Sequence, residues 1–147
     1  MSNPVNSYNY DISQIFLEQP FILNKVWTNT SGADVTVLPG RLFGEILATS
    51  LVLPHISTAT DGSEQPFGIL AGISPMTVAN GASATIPLAI KGNINKNKLI
   101  LSAGETLSTV VRTTASGGGT IGALITKNTG IIVVATNNVS GYDNAVS

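Results

Sequence analysis

The chain has 147 residues, 43% of them hydrophobic, which suits one domain with a modest core, and its 58 Ser, Thr, Asn and Gly residues favour sheets and turns over long helices. Only 10% are charged, seven Lys and Arg against eight Asp and Glu, so no basic surface exists to neutralise a phosphate backbone and no nucleic-acid partner is expected. The lack of cysteine removes disulfides, thiolate metal sites, iron–sulfur clusters and thiol nucleophiles.

Residues 1–13 carry Asn, Ser, Tyr and one Pro without an apolar period and read as a flexible N-terminal arm. They lack the basic and apolar regions of a secretory signal, so synthesis in a cytosol is expected. Tyr8 and Tyr10 stand out: an aromatic ring in a polar arm either anchors on a partner surface or packs on its own domain. Ile12, Ile15 and Phe16, then Phe21, Ile22, Leu23 and Trp27 beyond Pro20, form the most apolar and aromatic part of the chain.

A single β-rich domain is expected over residues 14–137, with a tail over 138–147. From Asp34 the pattern is short β segments punctuated by Gly, Pro and Asn. Val35 and Val37, then Leu42, Ile46 and Leu47, predict two strands around the turn Leu38-Pro39-Gly40-Arg41. Leu51-Val52-Leu53 stops at Pro54, Asp61-Gly62 suits a tight turn, and Phe67-Gly68-Ile69-Leu70 starts another strand. Residues 65–90 are uncharged, but Pro66, Pro75 and Pro87 break them, so they cannot form one membrane-spanning helix and no membrane partner is expected. Asn80-Gly81 between Met76-Thr77-Val78-Ala79 and Ser83-Ala84-Thr85-Ile86 predicts an antiparallel hairpin. Leu88, Ile90 and Ile94 continue the β pattern to the polar turn Asn95-Lys96-Asn97-Lys98.

Ser102 with Glu105 three residues on is a capping-box pair, predicting a helix whose buried stripe is Leu107, Val110 and Val111. A second short helix is predicted over Thr120 to Lys127, closing near Gly130 in a left-handed cap. Ile131-Ile132-Val133-Val134-Ala135 is uninterruptedly apolar, which implies cover on both faces. No fixed-spacing repeat is present, which argues against a solenoid or propeller.

Chemistry-bearing constellations are missing from this pattern. His55 is the only histidine, and a lone imidazole completes neither a multi-histidine metal site nor, without a nucleophile and an orienting group, a hydrolytic triad; a structural role is expected. The eight carboxylates are scattered without spacing that forces a shared proton or a metal. The run Gly117-Gly118-Gly119 lacks the Lys-Ser/Thr of a phosphate loop and reads as a hinge. Lys91, Lys96 and Lys98 read as a solvated tip that discourages edge-to-edge pairing. The expectation is a binding or structural protein, not an enzyme, with no cofactor and no metal, and its low charge favours use in an assembly.

Three segments stand out in order: Leu38-Pro39-Gly40-Arg41-Leu42-Phe43-Gly44-Glu45-Ile46, then Asp61-Gly62-Ser63-Glu64-Gln65-Pro66-Phe67-Gly68-Ile69-Leu70-Ala71, then Ile86-Pro87-Leu88-Ala89-Ile90-Lys91-Gly92-Asn93-Ile94. In that order they resemble the phage head decoration (capsid cement) protein family, of which the phage lambda head decoration protein is typical. The resemblance covers roughly residues 35–135; residues 12–27 and the tail after Asn137 depart from the pattern. It implies a small, mainly β, β-clip-like or barrel-like domain with one or two short helices on its C-terminal side. It also implies a homotrimer at three-fold and quasi-three-fold axes of an expanded icosahedral capsid, with the phage major capsid protein as partner. The location implied is the outer surface of the virion, after synthesis in the bacterial host cytoplasm. The arm then orders only on the capsid, and Tyr8, Tyr10, Ile12, Ile15 and Phe16 are its expected capsid-binding residues. The alternative is a trimeric phage fibre or carbohydrate-binding adhesion module, for which an exposed aromatic platform at Trp27, Tyr8 or Tyr142 would speak.

Overall fold

Leu42-Phe43 and Ile69-Leu70 place apolar side chains at both parities of a strand, so a sheet built from them must bury both faces. The computed structural model, which describes residues 15–111 and 118–134, meets that demand with two cores. Strands β1 (Phe21–Thr28), β3 (Leu42–Glu45), β4 (Val52–Pro54), β5 (Pro66–Leu70) and β7 (Ser83–Asn95) form one sheet in the order β1-β4-β3-β5-β7. Antiparallel pairing of β1 with β7 closes it into a five-stranded barrel, mixed because β1 and β4 run parallel. The protein is thus mainly β.

Inside the barrel, Phe43, Leu70, Ile86 and Leu88 surround Trp27, whose ring meets Phe43 edge-on at 5.6 Å between centroids. Leu42 and Ile69, one residue away on the same strands, point to the opposite face and join a second core with Ile94, Val111 and Ile131. The helix α1 (Ile121–Asn128) covers that core with Ile121, Leu124 and Ile125, and β10 (Gly130–Val134) extends the sheet in parallel beyond β7. Two small antiparallel pairs complete the fold: β2 (Val35–Val37) with β6 (Met76–Val78), and β8 (Val110–Val111) with β9 (Gly119–Thr120).

Several local expectations are overturned by tertiary pairing. The turn at Asn80-Gly81 forms, with Gly81 at φ +82° and the Ala82 N–H donating to the Ala79 carbonyl, but its flanks do not pair with each other. β6 takes β2 as partner and the start of β7 takes β1, because Val35 and Trp27 offer each flank a better apolar neighbour. Likewise, β2 and β3 flank the Gly40 turn but belong to different sheets.

The helix expected from Ser102 is a series of turns instead. Gly104 adopts φ +82°, outside the helical region, and the Thr109 and Thr106 hydroxyls accept the N–H groups of Thr106 and Ser108. Val110, expected on a buried stripe, is 70% exposed on β8. The second helix forms as expected, with the Thr120 hydroxyl accepting the Ala123 N–H. It closes on Thr129 in extended conformation, and Gly130 opens β10 without a left-handed cap.

β7 approaches its neighbours closely, and so does β3. A Cβ built on Gly44 would lie 1.8 Å from the Ser63 carbonyl oxygen, a clash with backbone that no rotamer relieves. Gly81 has open space, so an added methyl there meets only its own left-handed backbone. Gly44→Ala is expected to cost about 3 kcal/mol through forced sheet displacement, and Gly81→Ala about 1 kcal/mol through backbone strain. Urea unfolding midpoints check this order; an equal or larger loss at Gly81 contradicts it.

Candidate functional site

Strand pairing already begins at Ile15 of the expected contact residues. The Ile15 carbonyl accepts the Asn95 N–H at 2.8 Å, Phe16 bridges Ile94 in antiparallel fashion, and the Leu17 N–H donates to the Asn93 carbonyl at 3.0 Å. The N-terminal segment thus adds to β7 as a short strand, with Ile15 and Phe16 half-buried against the second core of their own domain. Tyr8, Tyr10 and Ile12 lie outside the described residues, as does Tyr142.

The opposite sheet face at this end carries apolar side chains that sequence reasoning did not single out as a site. In register, Phe21 pairs with Lys91, which pairs with Gly130, and Asn93 pairs with Ile132. Phe21 and Ile132 are each 61% exposed, and Leu23, on the same side of β1 as Phe21, is also exposed. Alternation sends Ile131 and Val133 into the second core, so Ile132 faces away from it. The expectation that residues 131–135 are covered on both faces is therefore met on one face only within a single chain; Ala135 lies outside the described residues. The signal available in the sequence was the uninterrupted apolar run itself.

A second feature is a buried ionisable cluster at the end of β4. His55 is fully buried; its Nε2 lies 2.8 Å from the Glu64 carbonyl, and its Nδ1 faces the Glu105 carboxylate at 3.8 Å. The other Glu105 oxygen accepts the Ser57 N–H at 2.8 Å, and the Arg41 guanidinium donates to the His55 carbonyl at 3.0 Å. Burial pushes the His55 ring below its ordinary pKa of 6.5, against the opposing pull of its contact with Glu64 and of the Glu105 charge. Burial also lowers Arg41, with Glu105 opposing. Nearby, burial alone would raise Asp61, but bonds from the Ser63 hydroxyl and N–H hold it below its ordinary 3.8. The contact with the Glu64 carbonyl ties the β4 end to the loop before β5.

Among the described residues no group of three or more His, Cys, Asp and Glu side chains is placed to hold a metal ion. No described helix is long and apolar enough to cross a membrane. Trp27 is 1% exposed in the first core, so its ring offers no platform to a ligand. No family model matches the chain, and no curated protein matches it either.

The ionisable cluster sets an acid response. Because the folded His55 ring binds a proton less readily than the unfolded one, its contribution to stability is complete above pH 6.5 and is lost as pH falls below that value. Asp61, held low, adds a second loss as pH falls below 3.8. Denaturant midpoints measured from pH 8 to pH 5 are expected to decline only on the acid side of 6.5; a flat profile over that range contradicts the assignment.

Proposed function

We propose that this chain is a structural virion protein that binds the outer surface of an icosahedral phage capsid as a trimer, at three-fold and quasi-three-fold axes, and stabilises the expanded head. It is made in the bacterial host cytoplasm and fastens neighbouring subunits of the major capsid protein without transforming any molecule. The observation that carries this reading is the apolar face at Phe21, Leu23 and Ile132, lying where the N-terminal segment joins β7. A strand apolar on both sides, covered on one, calls for a second surface from outside the chain. A second copy supplies it in this reading, and the motif order along residues 35–135 supports the same assignment.

The arm then works by strand addition, as Ile15–Leu17 already do on β7. Ile15 and Phe16 are the root of the arm, held by their own domain, while Tyr8, Tyr10 and Ile12 engage the coat protein. Ordering the arm costs about 1–2 kcal/mol of backbone entropy per residue, so one arm binds weakly. Three arms on one symmetric site raise avidity by roughly 10²–10⁴ over a single arm. With few charges, attachment depends little on salt. The alternative of a carbohydrate-binding adhesion module loses its strongest ring, since Trp27 is buried.

Two experiments test the reading. Deleting residues 1–13 is expected to leave a folded trimer that no longer occupies capsids, as seen by imaging undecorated heads mixed with the protein; full occupancy overturns the arm mechanism. Ile132→Asp, at an exposed site where substitution changes folding stability by only about 0.5 kcal/mol, is expected to shift the protein from trimer to monomer by light scattering. A trimer that persists removes this face from the copy–copy contact.

A further inference from the structure

We propose that His55 and Glu105 form a proton-gated latch that fastens the 102–109 segment, and through it the start of α1, to the barrel. The Glu64 carbonyl can only accept, so His55 Nε2 carries the hydrogen of the contact between them and the neutral ring leaves Nδ1 as a bare lone pair. That lone pair faces Glu105 Oε1, also an acceptor, at 3.8 Å, beyond hydrogen-bonding distance. Both atoms are buried, and neither has a hydrogen-bond partner among the described residues. One added proton turns this pair of opposed acceptors into an N–H donor and a carboxylate, and bonding then requires an approach of about 1 Å.

The second oxygen of Glu105 is anchored on the Ser57 N–H, so the approach is transmitted to the turn in which the Glu105 N–H donates to the Ser102 carbonyl. That turn continues into the residues that satisfy the first amides of α1. The Leu107 carbonyl accepts the Gly122 N–H and the Thr109 carbonyl accepts the Ile121 N–H, each at 2.9 Å. Three charged groups act on the ring from the elements around it. The Glu105 carboxylate favours the proton, as does the Glu64 carboxylate, which itself accepts the Gly62 N–H. The Arg41 guanidinium opposes it from the start of β3, alongside burial of the ring. The latch therefore rests neutral and closes on acidification.

The test uses the full chain, whose sole histidine makes its ring ¹⁵N resonances unambiguous. Between pH 8 and 4.5, Nδ1 is expected to gain a hydrogen with a midpoint below 6.5 while Nε2 keeps its own, and the Ile121 and Gly122 amides are expected to shift with the same midpoint. In Glu105→Gln the carboxamide can donate to Nδ1 without any proton while its oxygen still accepts from Ser57. The ring midpoint is then expected at least one pH unit lower, a tenfold weaker proton affinity, with the Gly122 amide no longer following pH. A wild-type ring that titrates at 6.5 overturns the latch, as do helix amides that do not follow the ring. An unchanged midpoint in a folded Glu105→Gln protein overturns it too. If that variant does not fold, the wild-type titration decides alone.

Discussion

One bulge in β7 makes the two-core architecture possible. Ile22 pairs with Ala89 while its neighbour Phe21 pairs with Lys91, so Ile90 is an extra residue on the β7 side. Adding one residue exchanges the faces of everything beyond it. Ile86 and Leu88 therefore point into the barrel with Trp27 and Phe43, whereas Ile94, of the same parity, points into the second core under α1. Without that slip Ile94 would leave the second core.

Everything attached to the lower half of β7 inherits its direction from this slip. β10 runs parallel to it with Ile131 and Val133 turned toward Ile94, and the segment from Ile15 to Leu17 pairs along its other edge. Lys91 and Asn93 then face the opposite side together with their partners Phe21 and Ile132, both of which are exposed. The candidate interaction surface and the second core are thus two sides of one decision in the backbone, and a surface of this kind suits a protein whose few charges offer little electrostatic steering.

The polar interior follows a different logic. The buried polar side chains are held mainly by backbone. Asn29 donates to the Val78 and Ala33 carbonyls, Glu64 accepts from Gly62, and His55 meets the Glu64 carbonyl. The Asn29 contact with Val78 joins the end of β1 to β6, and the His55 contact joins the end of β4 to the loop before β5, two connections that no ladder makes. Among the described residues, Glu105 Oε1 and His55 Nδ1 are buried atoms for which this matching of donors to acceptors is incomplete, and incomplete matching in a low-dielectric site is where protonation has leverage.

The mainly β character, the turns at Gly40, Asp61-Gly62 and Asn80-Gly81, and the helix over residues 121–128 were legible in the residues themselves, since each depends on local backbone preference or on spacing within one element. Which strands pair was not legible: Asn80-Gly81 announces a hairpin, yet its flanks go to β2 and β1, because pairing is chosen by apolar neighbours distant in the chain. The Ser102-to-Glu105 spacing announced a helix, but the carboxylate was claimed by Ser57, 48 residues away, and Gly104 turned the backbone aside. The apolar run at 131–134 declared that two faces seek cover; only the register across Asn93 and Lys91 decided which of its side chains the domain itself would bury and which it would leave exposed. Local signals specify what a segment prefers, and long-range register specifies what it meets, because face assignment changes with a single residue of slip.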